Sequence, residues 1–289
     1  MVTVILCTYK GEKYLQTQVD SINDQVTEEE YRLEIFDDEV RRSGSAARNF
    51  LSAIREVPES GYYMLSDQDD IWHPDKVDRL TKTIRRLEGE RGQETPLLVF
   101  SDAVVVDNMS RIISASFVRY EGLSPNRTKF NQLLLMNQVT GAACIFNNAL
   151  RRMLLSRDVP EKAAVHDHWL ALAASVSGEI HFLDEALYDY RQHGANVLGA
   201  KEAGLMRETG ERLGEENDAR AKENYNKLFA QAEEFLEQYR DVMSPEQLDA
   251  IRHFTGLPKM GKLEKIKTIL KYGFTYNRFY RTLGELIFI

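Results

Sequence analysis

Asp67-Gln68-Asp69-Asp70 sets three carboxylates within four residues, directly after the apolar run Gly61 to Leu65 and before Ile71-Trp72-His73-Pro74. Like charges at that density repel, and each one withdrawn from water costs several kcal/mol unless a cation or a set of donors compensates. A divalent ion answers that need: hard oxygen ligands suit Mn2+ or Mg2+, which keep one or two carboxylates and complete their shell with substrate phosphate and water. The competing explanation is a solvated acidic turn capping the helix that starts near Pro74. A second acidic pair, Asp37-Asp38, closes the run Arg32 to Phe36. Taken alone, that pair is equally a helix cap or a loop. Asp167 lies ahead of Trp169, where a carboxylate can cap the following helix, project into a crevice, or do both. Isolated histidines are more often structural, and His166 and His168 are read that way. Trp72 and Trp169 are candidates for stacking on a sugar or base, although large aromatics more often fill a core.

These residues need elements to hold them. Val2 to Cys7 is a continuous apolar, β-branched run that predicts a buried parallel strand, and Tyr14, Leu15, Val19 and Ile22 mark an amphipathic helix after Gly11. Strands are expected at Arg32 to Phe36, Gly61 to Leu65 and Pro96 to Asp102, and helices at about Ser45 to Arg55 and Asp75 to Leu87. Leu133 to Met136 and Thr140 to Phe146 flank a turn at Gly141, Trp169 to Val176 reads as helix, and Ile180 to Tyr190 as strand. In open α/β sheets ligands bind outside the carboxyl ends of the strands, so both acidic groups should face one crevice. From about Lys201 the pattern turns charged and helical through Tyr239, and another helix begins at Ser244-Pro245-Glu246. This divides the chain into 1–200, an α/β domain, and 201–289, a helical region.

The 289 residues suffice for a substantial core, and a formal charge of −8 argues against nucleic acid as a partner, which would need a basic footprint. Cys7 and Cys144 have apolar neighbours and no metal or redox spacing, so they read as core residues of a reducing compartment. The first residues lack the basic start of a signal peptide, and no run approaches the roughly 20 apolar residues that span a bilayer. The expected location is therefore cytoplasmic. The stretch from Leu257 to Ile289 is exceptional: seven Lys and Arg against Glu264 and Glu285, interleaved with Tyr272, Phe274, Tyr276, Phe279 and Tyr280. It either docks as a helix on the first domain or holds the protein at the inner face of the plasma membrane, its cations on anionic headgroups and its aromatics at the interface.

Thr8-Tyr9-Lys10-Gly11, the Asp37-Asp38 strand end, Asp67 to Pro74, His166-Asp167-His168-Trp169 and Tyr190-Arg191-Gln192-His193-Gly194 occur in the order and spacing of inverting family-two glycosyltransferases. The chain resembles their rhamnosyltransferase-like bacterial members over about its first 200 residues. That resemblance implies the GT-A fold, a mostly parallel sheet flanked by helices, here with a C-terminal helical extension. It implies that Thr8, Tyr9, Asp37 and Asp38 contact the nucleoside, with Asp69 as a direct metal ligand and Asp67 on the sugar or ribose and near the metal. His193 is then a third metal ligand, Arg191 a diphosphate contact and Asp167 the catalytic base. Implied partners are a dTDP- or UDP-sugar donor, rhamnose leading, and a glycan or lipid-linked acceptor in cell-surface polysaccharide synthesis. A second copy of the chain is a further candidate partner.

The pattern departs from the family in one place. Asp38 runs through Glu39-Val40-Arg41-Arg42 straight into Ser43-Gly44-Ser45, so roughly one helix-strand unit is absent, by the minimum length of a crossover. The expectation is a stretch of chain missing there, a mobile loop over the donor site; a true deletion would leave a smaller sheet. It also keeps open a catalytically impaired binding module of the same fold. A nucleotidyl or phosphoryl transferase should show a Gly-rich phosphate loop or a Walker-type Lys, and neither is present.

Overall fold

The computed structural model describes residues 1–193, 215–277 and Thr282, with side chains throughout except at 215–221. The opening strand β1 (Val2–Thr8) is buried at every position, as its Val, Ile and Leu content demands of a central strand. From it the chain runs through α1 (Leu15–Asn23), β2 (Tyr31–Asp37), α2 (Asp38–Arg41), α3 (Ala46–Glu56), β3 (Tyr62–Ser66), β4 (Ile71–Trp72), α4 (Lys76–Arg91) and β5 (Leu97–Val106). It continues with β6 (Ile112–Ser114), α5 (Phe117–Glu121), α6 (Phe130–Leu133), β7 (Cys144–Asn147), α7 (Asn148–Leu155), α8 (His166–Ser177) and β8 (Glu179–Arg191).

All eight strands join one sheet in the order β2-β1-β3-β7-β5-β8-β4, with β6 paired to β5. Strands β2, β1, β3, β5 and β8 run in one direction, and β7, β4 and β6 oppose them. Helix α3 packs on β1, and α4 and α8 on β5. This is the expected α/β class, a mostly parallel sheet flanked by helices.

The expectation of a missing stretch after Asp38 is overturned. The chain is continuous there and closes on its own caps. Asp38 opens α2, and its Oδ1 accepts from Ser43 N at 2.8 Å. Arg42 ends the turn in the left-handed region, and Ser45 Oγ accepts from Arg48 N at 3.2 Å to start α3. Among the described residues β2 is the edge strand of the sheet.

Past residue 214 come α9 (Glu215–Tyr239), α10 (Pro245–Gly256) and α11 (Lys262–Tyr272). Ser244 and Gln247 form the capping box of α10. Phe235, Tyr239, Phe254, Ile269 and Phe274 join the same buried cluster as the sheet residues. Phe235 stacks on Tyr239 with centroids 4.3 Å apart and meets Trp169 edge-on at 5.1 Å. The aromatics of the basic stretch are therefore not interfacial as far as residue 277. Phe274 is fully buried, and Tyr276 donates to or accepts from the Tyr225 hydroxyl at 3.0 Å. Gly194, the boundary near Lys201, and Arg278 to Arg281 with Glu285 to Phe288 lie outside the described residues. Among the described residues no helix is long and apolar enough to cross a membrane. Cys7 and Cys144 are buried and unpaired by any disulfide.

Candidate active site

The carboxyl end of β3 leads into the acidic loop, and β4 then turns back along β8. Ile71 faces Asp189 and Trp72 faces Tyr188 in antiparallel register, so continuing two places brings Asp69 alongside Arg191. The contacts follow that geometry. Arg191 N–H donates to Asp70 Oδ1 at 3.2 Å, Arg191 Nε to the Asp69 carbonyl at 2.9 Å, and His193 Nε2 lies 2.7 Å from Asp69 Oδ2. Arg191 is further held by Ser110 Oγ at 2.9 Å and lies over the Tyr14 ring at 4.8 Å. His73 fixes the β4 end of this arrangement. Its Nε2 meets Asp189 Oδ1 at 2.8 Å and its Nδ1 the Ala186 carbonyl at 3.0 Å; two acceptors favour the protonated ring, and its pKa is raised.

Charge crowding is severe. Burial pushes Asp67 up to about 7, the Asp69 and Asp167 carboxylates add to the effect, and Lys76 opposes it. Asp70 is 1% exposed, and burial with Asp69 and Asp67 nearby holds it well above the usual carboxylate range. Its Oδ2 is buried without a hydrogen-bond partner. Beneath the loop lies Lys76, fully buried, its Nζ donating to the Ala142 carbonyl at 2.5 Å between the rings of Trp72 (3.8 Å) and Tyr188 (4.3 Å). Burial pushes this ammonium down to about 7 against the pull of Asp70. The sequence reading missed Lys76, because a lysine in the first turn of an amphipathic helix looks like any solvated one. The competing picture of a solvated acidic cap is not what forms, since β4 separates the loop from α4 and Asp75 is the residue at its N-cap.

Asp167 sits inside the first turn of α8, whose cap position is Val165, so it does not cap the helix through its side chain. Instead Oδ1 accepts from Asn137 Nδ2 at 2.9 Å and Oδ2 from Gly141 N–H at 3.0 Å. Burial pushes it up to about 6, and these donors pull the other way. Gly141 can approach only because it lacks a side chain: a Cβ there would lie 2.3 Å from His166 Nε2. His166 stacks on Phe50 at 4.0 Å and burial pushes it down to about 3. His168 meets the Leu133 carbonyl through Nε2 at 2.5 Å and Gln231 through Nδ1 at 3.1 Å, and burial takes it down to about 4. Both histidines are buried. Helix α9 also grips the approach to Asp167: Glu234 accepts from the N–H groups of Glu161 and Lys162, and Gln231 Oε1 from Ala164 N–H at 2.8 Å.

On the other side of β3, Thr8 pairs with Asp37 in the β1–β2 register. Asp37 Oδ1 accepts from Glu39 N–H at 3.0 Å, so Asp37 is a cap as well as a strand end. Tyr9 is exposed, and its backbone is clasped by Gln68, with Oε1 accepting from Tyr9 N–H at 2.7 Å and Nε2 donating to the Tyr9 carbonyl at 3.1 Å. A Cβ on Gly11 would lie 2.3 Å from Gln68 Oε1. The acidic strand ends are electrostatic neighbours, for the buried Cys7 thiol is raised by burial and then by both Asp67 and Asp38. Trp72 and Trp169 are core residues, 2% and 1% exposed.

Asp69, Asp70, Arg191 and His193 thus meet through direct contacts, Asp67 and Asp167 are electrostatic neighbours, and Thr8, Tyr9, Asp37 and Asp38 lie at and just beyond the ends of β1 and β2. Among the described residues no group of three or more His, Cys, Asp or Glu side chains stands ready-made for a metal. The donors still fit a hard divalent cation. The Asp69–His193 pair supplies one oxygen and one nitrogen, Asp67 stands near, and the buried Asp70 Oδ2 has no hydrogen-bond partner.

No protein-family model matches the chain, and no curated protein matches it. Among solved structures, the crystal structure of S. aureus TarS 1–349 superposes with a TM-score of 0.50 at 14% identity, covering 95% of this chain and 92% of that one. The mannosyltransferase PcManGT from Pyrobaculum calidifontis, in complex with GDP-Man and Mn2+, superposes with a TM-score of 0.50 at 14% identity over 93% of this chain and 73% of that one. At that identity the likeness establishes the fold.

Proposed function

We propose that this chain is a metal-dependent, inverting glycosyltransferase that moves a hexose from a nucleotide-diphosphate sugar to a hydroxyl of a glycan or lipid-linked saccharide. The observation that carries the reading is the contact of Asp69 with His193 at 2.7 Å beside Asp67, whose carboxyl burial raises with Asp69 and Asp167 adding to the effect; it supports a leaving-group side and a base that share one crevice. Likeness of fold to a mannosyltransferase holding GDP-Man and Mn2+ supports it.

Transfer with inversion is an in-line displacement. The acceptor oxygen bonds to the anomeric carbon as the bond from that carbon to the diphosphate oxygen breaks, and the acceptor proton must go to a base on the opposite face. Asp167 is that base, its carboxylate oriented by Asn137 and the Gly141 N–H and raised to about 6, where it is ionised yet basic at neutral pH. Asp69 and His193, with Asp67 beside them, would hold Mn2+ or Mg2+, which neutralises charge on a departing diphosphate. Arg191 adds positive charge on the same side. Thr8, Tyr9, Asp37 and Asp38 contact base and ribose. Rhamnose from a dTDP donor is the leading substrate, with glucose or galactose from a UDP donor next; peripheral membrane contact through the basic stretch after Leu257 belongs to the same reading.

A thermal-shift panel of nucleotide sugars with and without Mn2+ tests the donor site, because a ligand that binds only the folded state raises the melting temperature. Donor hydrolysis by wild type and by Asp69→Ala then tests turnover. Donor-induced stabilisation without hydrolysis would leave a binding module of the same fold.

A further inference from the structure

Helix α11 buries Thr268 and Ile269, and Tyr272 and Lys265 flank that inner face. At 100° per residue the opposite face carries Leu263, Lys267 and Leu270, bordered by Ile266 and Lys271. Leu263 is 77% exposed and Leu270 59% exposed, about two turns apart in the i, i+7 relation of one ridge. Lys259 and Lys262 are exposed beside it. Between Leu257 and Asn277 there are five lysines and one acid, Glu264, on a chain whose total charge is −8.

We propose that this outward ridge of α11 docks on an anionic lipid surface, with Leu263 and Leu270 inserted at the headgroup boundary and the lysines on phosphate. It deepens the peripheral-contact part of the function proposed above by naming the surface. Charge complementarity selects the occupant. A second copy of this chain or an ordinary acidic protein face would meet the leucines equally well, but the surplus of lysine on an otherwise acidic molecule matches a surface of uniformly negative charge. The tie to the active site is direct. Immediately after α11, the Tyr272 carbonyl accepts from Asn131 Nδ2 at 2.6 Å, the Thr275 carbonyl from Arg127 Nη2 at 2.6 Å, and Asn277 Oδ1 from Gln138 Nε2 at 3.0 Å. Gln138 adjoins Asn137, which holds Asp167. The chain just after α11 is therefore tied to the segment that orients the proposed base.

The test is co-sedimentation of the full chain with vesicles of phosphatidylglycerol or of phosphatidylcholine alone. The expected result is binding to the anionic vesicles only, weakened about tenfold or more by Leu263→Glu with Leu270→Glu, and likewise by Lys259→Glu with Lys267→Glu. Thermal melting and donor hydrolysis in solution should stay at wild-type values, because these side chains are exposed to solvent; this separates failure of the docking surface from failure of the transferase reading. Equal binding to both vesicle types, no vesicle binding, variants that bind like wild type, or a wild-type dimer in size-exclusion chromatography that the leucine variants convert to monomer would each overturn the proposal.

Discussion

Asp69 and His193 are 124 positions apart and meet at 2.7 Å between Oδ2 and Nε2. A hydrogen bond this short between a carboxylate and an imidazole can be exchanged for two bonds to one cation. Asp69→Ala should therefore abolish the rise in melting temperature produced by Mn2+, and His193→Ala should weaken Mn2+ binding by about tenfold or more, in the range reported for losing a group that supports a metal. Isothermal titration with Mn2+ checks both, and unchanged affinity in the two variants would remove these residues from the metal.

Asp167→Asn keeps the shape of the side chain and removes its basicity. Sugar transfer should fall by about 10²- to 10⁴-fold while the donor dissociation constant holds, the scale of general-base catalysis. With the wild type, kcat/KM should rise with pH through about 6, the value to which burial pushes Asp167. A profile flat from acid to neutral pH would assign proton removal to another group.

The same burial sets a dependence of stability on pH. Asp67 is raised from 3.8 to about 7 and Asp167 from 3.8 to about 6. Between those limits the metal-free folded chain keeps protons that the unfolded chain has released, so these two groups subtract stability as pH rises through that window. A divalent cation beside Asp67 needs that carboxylate ionised. The gain in melting temperature from Mn2+ should therefore be larger at about pH 8 than at about pH 5.5, and equal gains would separate the cation from these carboxylates.

Lys76 is the internal countercharge in the metal-free protein. Lys76→Met should cost about 3 kcal/mol, because it leaves the neighbouring buried carboxylates uncompensated, and Mn2+ should restore more stability to the variant than it adds to wild type. Denaturant melts with and without Mn2+ measure this.

Gln68 ties the loop after β1 to the loop after β3 through the two backbone groups of Tyr9. Gln68→Ala and Gly11→Ala should both loosen that tie and weaken donor binding to a similar degree. The stability cost of Gly11→Ala should be small, about 1 kcal/mol, since the displaced atom is the end of a flexible side chain. Donor titration of both variants decides, and a loss confined to one would show the clasp is not the shared cause.

The sheet was legible because its strands announce themselves: Val2 to Cys7 is apolar throughout, and each acidic cluster follows an apolar run. The convergence of Asp69 with His193 was legible only through resemblance, since nothing local predicts that β4 turns back along β8 in the register that aligns them. Short elements with no periodic signal, such as β6 and α6, escaped notice. So did Asn137 and Lys76, and Gly141 was read only as a turn, because their roles depend on what is packed opposite rather than on their own neighbours in the chain. The basic stretch was half read: Tyr272, Phe274 and Tyr276 pack inward because the core around Phe254 offers them partners, while Leu263 and Leu270 face outward.

Helix α9 reaches across to hold backbone N–H groups at Glu161, Lys162 and Ala164 and to brace His168 beside Asp167. The loop ahead of Asp167 thus owes its order to side chains contributed from about 70 residues later in the chain. During synthesis the sheet can form while the wall of the crevice is still slack, and the proposed base reaches its working position only when α9 has emerged and closed over it.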